Sequence, residues 1–164
     1  MAGFSNAKAD MGFVKKRLDQ NIAAGEKLLG AEYWATIEGY EGISILFRTA
    51  QLPEQARQQV EDTIPGGLTM TQYGAYKNNG EMPMQCSETI DGKVLAAVRE
   101  IVINKKYVTV KVQAAAESNS GDAKGLTRTL GHCLVFSDAV DLSSEDMTQV
   151  VKPNLRIVYN WVDA

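Results

Sequence analysis

Apolar residues recur at helical spacing in two stretches of this chain and alternate with polar ones in several others. Met11, Val14, Leu18, Ile22 and Leu29 form a helical series with Gly25, while Lys15, Lys16, Asp19, Gln20 and Glu26 fall on the other side. This spacing predicts an amphipathic helix within residues 1–30, stopped at Gly30. A lone apolar stripe must be laid on something, either the rest of its own domain or a neighbouring subunit.

From Tyr33 onward the texture is that of a β protein. Tyr33 to Glu38 reads as a strand, Gly39-Tyr40-Glu41-Gly42 as a turn, and Ile43, Ile45 and Phe47 as a second strand, which together predict a hairpin. Gln51 to Ile64 interrupts the alternation. Pro53 is placed for the first turn of a short helix, and Pro65-Gly66-Gly67 ends the segment. Insertions of that length between strands are often interaction elements. Gly67 to Tyr76 and Glu81 to Cys86 read as a second strand pair around Lys77-Asn78-Asn79-Gly80, with Pro83 placing the later strand at an edge.

Asp91 is positioned to cap a helix through Val94, Leu95, Val98, Ile101 and Val102. Val108 to Ala114 alternates cleanly as a half-buried strand. Glu117 to Lys124 reads as a solvated loop and Thr127 to Phe136 as a strand. Ser137 to Val151 is polar, with a candidate one-turn helix at Ser143-Ser144-Glu145-Asp146. Leu155 to Val162 is apolar on most of both faces, as a central strand would be. These elements predict a mainly β (α+β) fold with six or seven mostly antiparallel strands. The architecture would be a sandwich or barrel with a packed mid-chain helix and an N-terminal helix.

The 164 residues are 45% hydrophobic and 23% charged, with 14 Gly and 4 Pro, which excludes a disordered or collagenous chain. The formal charge of -3 argues against a dedicated nucleic-acid binder. No apolar run approaches a membrane span, and the N-terminus lacks the apolar core of a secretory signal. Cys86 and Cys133 have no CxxC spacing. They are either two buried thiols or partners in a bridge, and the ease with which Cys buries favours thiols.

Candidate chemistry is sparse. The lone His132 cannot build a multi-histidine metal site, and its strand neighbour Cys133 points to the opposite face. Asp138, Asp141, Glu145 and Asp146 lack the spacing of a calcium loop and read as a solvated acidic segment. There is no phosphate-binding loop and no nucleophile elbow. Tyr73 and Tyr76 could stack bases, but without basic neighbours they read as packing residues. No catalytic, cofactor or metal residue is expected. This moves weight from an enzyme toward an assembly protein, with a small β-barrel binding module or an enzyme without a visible motif as the other class.

In the order of its strands the chain resembles the tail tube proteins of contractile phage tails, the superfamily that includes the Hcp protein of type VI secretion and R-type pyocin tubes. Three stretches carry the resemblance. They are Tyr33 to Thr49 running into Ala50-Gln51-Leu52-Pro53, then Gly67 to Cys86 followed by the helix Asp91 to Ile103, and the C-terminal SDAVDLSSEDMTQVVKPNLRIVYNWVDA. The likeness covers residues 33–164 and leaves 1–30 as a helical arm ahead of a tail-tube-like barrel domain at 31–164.

The resemblance implies a structural virion protein, assembled in the host cytoplasm, whose hexameric rings stack into the inner tube through which the genome is ejected. Its partners would be further copies of itself, the tail sheath protein, and the baseplate, initiator and terminator proteins. Tape measure protein and DNA would sit weakly held in the lumen, and no membrane would be involved. Six copies would carry about -18 charges, which would not hold DNA phosphates. A baseplate tube-initiator ring, a tube-terminator ring or an Hcp-like secretion subunit is the alternative. Leu52, Pro53, Val60 and Ile64 are the candidate inter-ring contacts. Met11, Val14, Leu18 and Ile22 are candidates for a second inter-subunit contact.

Overall fold

The computed structural model describes residues 8, 10–116 and 126–162, so the loop expected at Glu117 to Lys124 lies outside the described residues. The chain divides into two units, 1–30 and 31–164. In the first, helix α1 spans Met11–Ala23. Asp10 caps it, its carboxylate accepting from the Gly12 and Phe13 amides at 3.0 and 3.2 Å. The helix ends near Gly25, whose φ of 86° breaks the helical path before the predicted stop at Gly30.

The second unit is built on a nearly closed antiparallel sheet. Its strands are β1 (Tyr33–Ile37), β2 (Phe47–Thr49), β5 (Gly80–Cys86), β6 (Val108–Ala114), β7 (Thr127–Ser137), β8 (Asn154–Tyr159) and β9 (Trp161–Val162). The order is β1-β6-β7-β8-β5-β2, with β9 also on β7. The eleven-residue β7 pairs with β6 along one side and with β8 and then β9 along the other. The β8–β9 break falls at Asn160, whose side chain donates to the His132 carbonyl at 2.8 Å. Opposite it, His132 adopts a φ of 49°, so both strands bend at one point.

Two strand pairings differ from expectation. Residues 41–46 form a 3-10 turn, and β1 and β2 do not make a hairpin but lie at opposite ends of the sheet order. The segment between them links the two edges, with the Ser87 amide donating to the Leu46 carbonyl at 2.8 Å. Likewise β5 pairs with β8 and β2, and the strand before it pairs elsewhere. Pro83 does sit where β5 has an open side, because β2 covers only Gln85 and Cys86.

The inward residues of each strand meet in one core. Ile37, Val110, Leu130, Val135, Leu155, Ile157, Met82 and Met84 are essentially inaccessible. The alternation seen along β6 and β8 is therefore the inside–outside pleat. Helix α2 (Lys93–Ile103) lays Val94, Val98 and Ile101 on the same core. Its N-terminus is satisfied by Glu88 and not by Asp91. One Glu88 oxygen accepts from the Thr89 and Val94 amides, and the other accepts from Leu95 at 2.8 Å. The segment 137–151 contains a turn at Ser144-Glu145 and no helix.

Both cysteines are buried free thiols. Burial, with the nearby Glu88 carboxylate, pushes the Cys86 thiol up to about 12. Burial pushes Cys133 up to about 11, against a smaller opposite effect of a Val110 backbone hydrogen bond.

Three outcomes follow. Glu88→Ala leaves first-turn amides without an acceptor and lowers unfolding stability by about 1–2 kcal/mol in chemical denaturation. In Gly80→Ala the new Cβ falls 2.7 Å from the Cζ of buried Tyr159, and the thermal midpoint drops by the equivalent of about 1–3 kcal/mol. Both thiols resist alkylation in the folded protein. Their folded pKa values lie above the ordinary 9.0, so the stability they contribute is intact below that pH. It is lost as pH rises through about 11 and about 12, which alkaline unfolding at fixed denaturant measures.

Candidate assembly surfaces

Strands β3 (Arg57–Ile64) and β4 (Leu68–Tyr76) form a two-stranded sheet of their own. The segment predicted as a short helix and loop is thus largely a strand. The reason is Pro65-Gly66-Gly67, where Gly66 and Gly67 hold φ of 99° and 78°. Those angles suit a tight reversal, so Pro-Gly-Gly turns the chain back on itself instead of ending a helix. Every residue of β3 is exposed, as are the first six of β4.

The register divides this ribbon into two unlike faces. Val60 faces Gln72, Asp62 faces Met70 and Ile64 faces Leu68, so one face carries four large apolar side chains. The other pairs Gln59 with Tyr73, Glu61 with Thr71 and Thr63 with Thr69, and is polar apart from the tyrosine ring. An isolated two-stranded ribbon is marginal in water, and an apolar face open to solvent invites a partner. At its base the ribbon is held to the sheet unit. Asn78 Nδ2 donates to the Asn160 carbonyl at 3.0 Å and Tyr76 meets the Trp161 ring edge-on at 6.0 Å, while Lys77, bonded to Glu54 at 2.7 Å and by its amide to the Ala56 carbonyl at 3.1 Å, ties the ribbon's two flanks together.

The main sheet offers further unpaired backbone. Among the described residues strand β1 has a strand partner only in β6, β2 only in β5, and the side of β5 away from β8 is open from Gly80 to Met84. Such edges template pairing with another chain.

The predicted contact residues fall in three places. Val60 and Ile64 share the apolar ribbon face. Leu52 and Pro53 lie in the irregular segment leading to β3. Met11, Val14, Leu18 and Ile22 are exposed on α1. Leu68 and Met70 complete the apolar ribbon face, and their alternation with Thr69 and Thr71 is the sequence signal of a two-faced strand. His132 is exposed, its ring edge-on to Tyr107 at 6.0 Å. Among the described residues no cluster of His, Cys, Asp and Glu could hold a metal ion, and no helix is long and apolar enough to cross a membrane.

No protein-family model and no curated protein matches the chain. Solved structures do match its fold. A chain of the sheath–tube complex of an extracellular contractile injection system, PVC, in the extended state aligns with a TM-score of 0.61 at 12% identity. The alignment covers 88% of this chain and 95% of that one. A chain of the tube-terminating cap of the anti-feeding prophage aligns at 0.62 and 12%, covering 84% and 90%. One from the six-fold symmetrised baseplate of the same particle aligns at 0.60 and 12%, covering 85% and 95%. The protein therefore has the fold of the tube proteins of contractile injection systems.

Leu68→Lys and Met70→Lys, placed on solvent-exposed positions, should change the unfolding free energy of the isolated chain by less than about 0.5 kcal/mol each in denaturant titration.

Proposed function

We propose that this protein is a structural, non-enzymatic subunit that closes into rings with copies of itself and stacks them into the inner tube of a contractile tail or injection particle. The observation that carries the reading is the β3–β4 ribbon. It is a two-faced hairpin, exposed in the single chain, on a fold otherwise found in tube, cap and baseplate assemblies. The apolar face of Val60, Ile64, Leu68 and Met70 gains by burial against a neighbouring copy, each large side chain contributing about 1.5–3 kcal/mol when fully covered. The open edges of β1, β2 and β5 complete their hydrogen bonds in the same step, which closes a sheet across subunits.

The polar face of the ribbon then suits a channel. Between Gln59 and Thr71 it offers hydroxyls, an amide and the Glu61 carboxylate; Arg57, at the base of the same side, donates to the Gly74 carbonyl at 3.4 Å and lies over the Tyr76 ring. On this reading the ring is six-membered and the lumen passes DNA or another cargo. Sheath, baseplate and tape-measure proteins are the partners, and Leu52 and Pro53 together with the α1 stripe make further subunit contacts.

A second reading has specific support. Cap and baseplate chains share the fold as closely as the sheath–tube chain does, so the protein can instead form one terminal or initiating ring.

Negative-stain microscopy over a range of protein concentrations tests both readings. Stacked rings with a central hole are expected of a tube subunit, and single rings of a terminal one. Leu68→Lys/Met70→Lys should abolish either while leaving a folded monomer. Monomers at every concentration, or normal assembly of that variant, would sink the ribbon's proposed role.

A further inference from the structure

The end of α2 is basic in an acidic chain. Residues 99–107 carry Arg99, Lys105 and Lys106 against Glu100, three cations and one carboxylate for a local +2, whereas the whole chain is -3. Lys106 is engaged by Glu100, and this hydrogen bond holds the Glu100 carboxyl below its usual range. Arg99 and Lys105 make no ion pair among the described residues. The cations surround apolar surface. Ile103 is 64% exposed and Tyr107 65%. Beside them Ile101, Val102, Leu134 and Phe136 line a cleft of about 210 Å³, with Lys105 and Tyr107 at its wall.

The β7–β8 connection is its chemical complement. Residues 138–153 hold Asp138, Asp141, Glu145 and Asp146 against Lys152, a local -3. None of the four is ion-paired among the described residues. Within the same stretch Leu142 is 80% exposed and Met147 93%, large apolar side chains with nothing over them. Scattered exposed apolar residues are ordinary. Two surfaces of opposite charge, each with uncovered apolar anchors and neither covered by the other in the single chain, are a matched pair.

We propose that the 138–151 segment of one copy docks on the α2 end of the next, with Leu142 or Met147 entering the Val102–Tyr107–Phe136 cleft and the acidic side chains meeting Arg99 and Lys105. The contact is head-to-tail, the kind that closes a ring or extends a filament. It is separate from the ribbon and the sheet edges, and it rests on the reading of the chain as a self-assembling subunit. The charges steer and register the contact and the apolar anchors hold it, so assembly weakens as salt rises toward the screening of exposed pairs.

A charge-swap series on the full chain tests it, read by light scattering and sedimentation, with circular dichroism checking the fold. Arg99→Glu/Lys105→Glu and Asp141→Lys/Glu145→Lys should each weaken association roughly tenfold, since each turns exposed attractive pairs into repulsive ones. The four substitutions together should recover most of the loss. If the wild-type chain assembles and all three variants match it, or if the combined variant is weaker than either parent, this contact is wrong while the ribbon-based assembly stands. If the wild-type chain does not self-associate at any concentration, both readings fall.

Discussion

The structure depends on how β7 satisfies its backbone. It is an eleven-residue strand that changes partners along its length. Strand β6 takes Thr127 to Cys133 on one flank, while β9 takes Leu130 and Gly131 and β8 takes Leu134 to Ser137 on the other. A continuous flat ladder of that length would not curl around a core. The shared bend at His132 and Asn160 lets it curl, because one side-chain amide replaces a ladder bond with the 2.8 Å contact to the His132 carbonyl. Once β7 bends, the inward residues of β1, β5, β6 and β8 converge, and α2 can lay Val94, Val98 and Ile101 over them.

The same curl leaves the sheet short of closing within one chain. Its two end strands are tied by the 3-10 segment but are not hydrogen-bonded to each other. The unpaired edges, together with a ribbon whose apolar face has no core of its own, are liabilities for a monomer and assets for a subunit. Chains of sheath–tube, cap and baseplate complexes share this fold at about 12% identity. What such chains have in common is a pattern of pleat, helix and edge, which many sequences can satisfy.

Much of this was open to reading from local pattern. The β6 strand, β7, the C-terminal strand and α2 stand where alternation and helical spacing place them, because a pleat or a turn of helix is encoded over a few neighbouring residues. The burial of Cys86 and Cys133 likewise agrees with their chemistry as small apolar side chains. The errors lie in partnership. Tyr33–Ile37 and Phe47–Thr49 are neighbours in sequence but stand at the two ends of the sheet order. Arg57–Ile64 reads as helix and loop until Leu68–Tyr76 is seen beside it.

The division has a physical cause. Residue spacing settles which side chains share a face, since strand and helix periods are properties of the backbone. It therefore establishes a mainly β chain with two helices and acidic character. Which strands pair is set by long-range hydrogen bonding and by how a curled sheet fills its core, and a local window contains neither. The capping of α2 shows the difference in miniature. Asp91 has the better sequence position, yet Glu88 reaches three amides because the approach of the chain from β5, bonded to Val151 and Leu46 on the way, aims its carboxylate at the helix end.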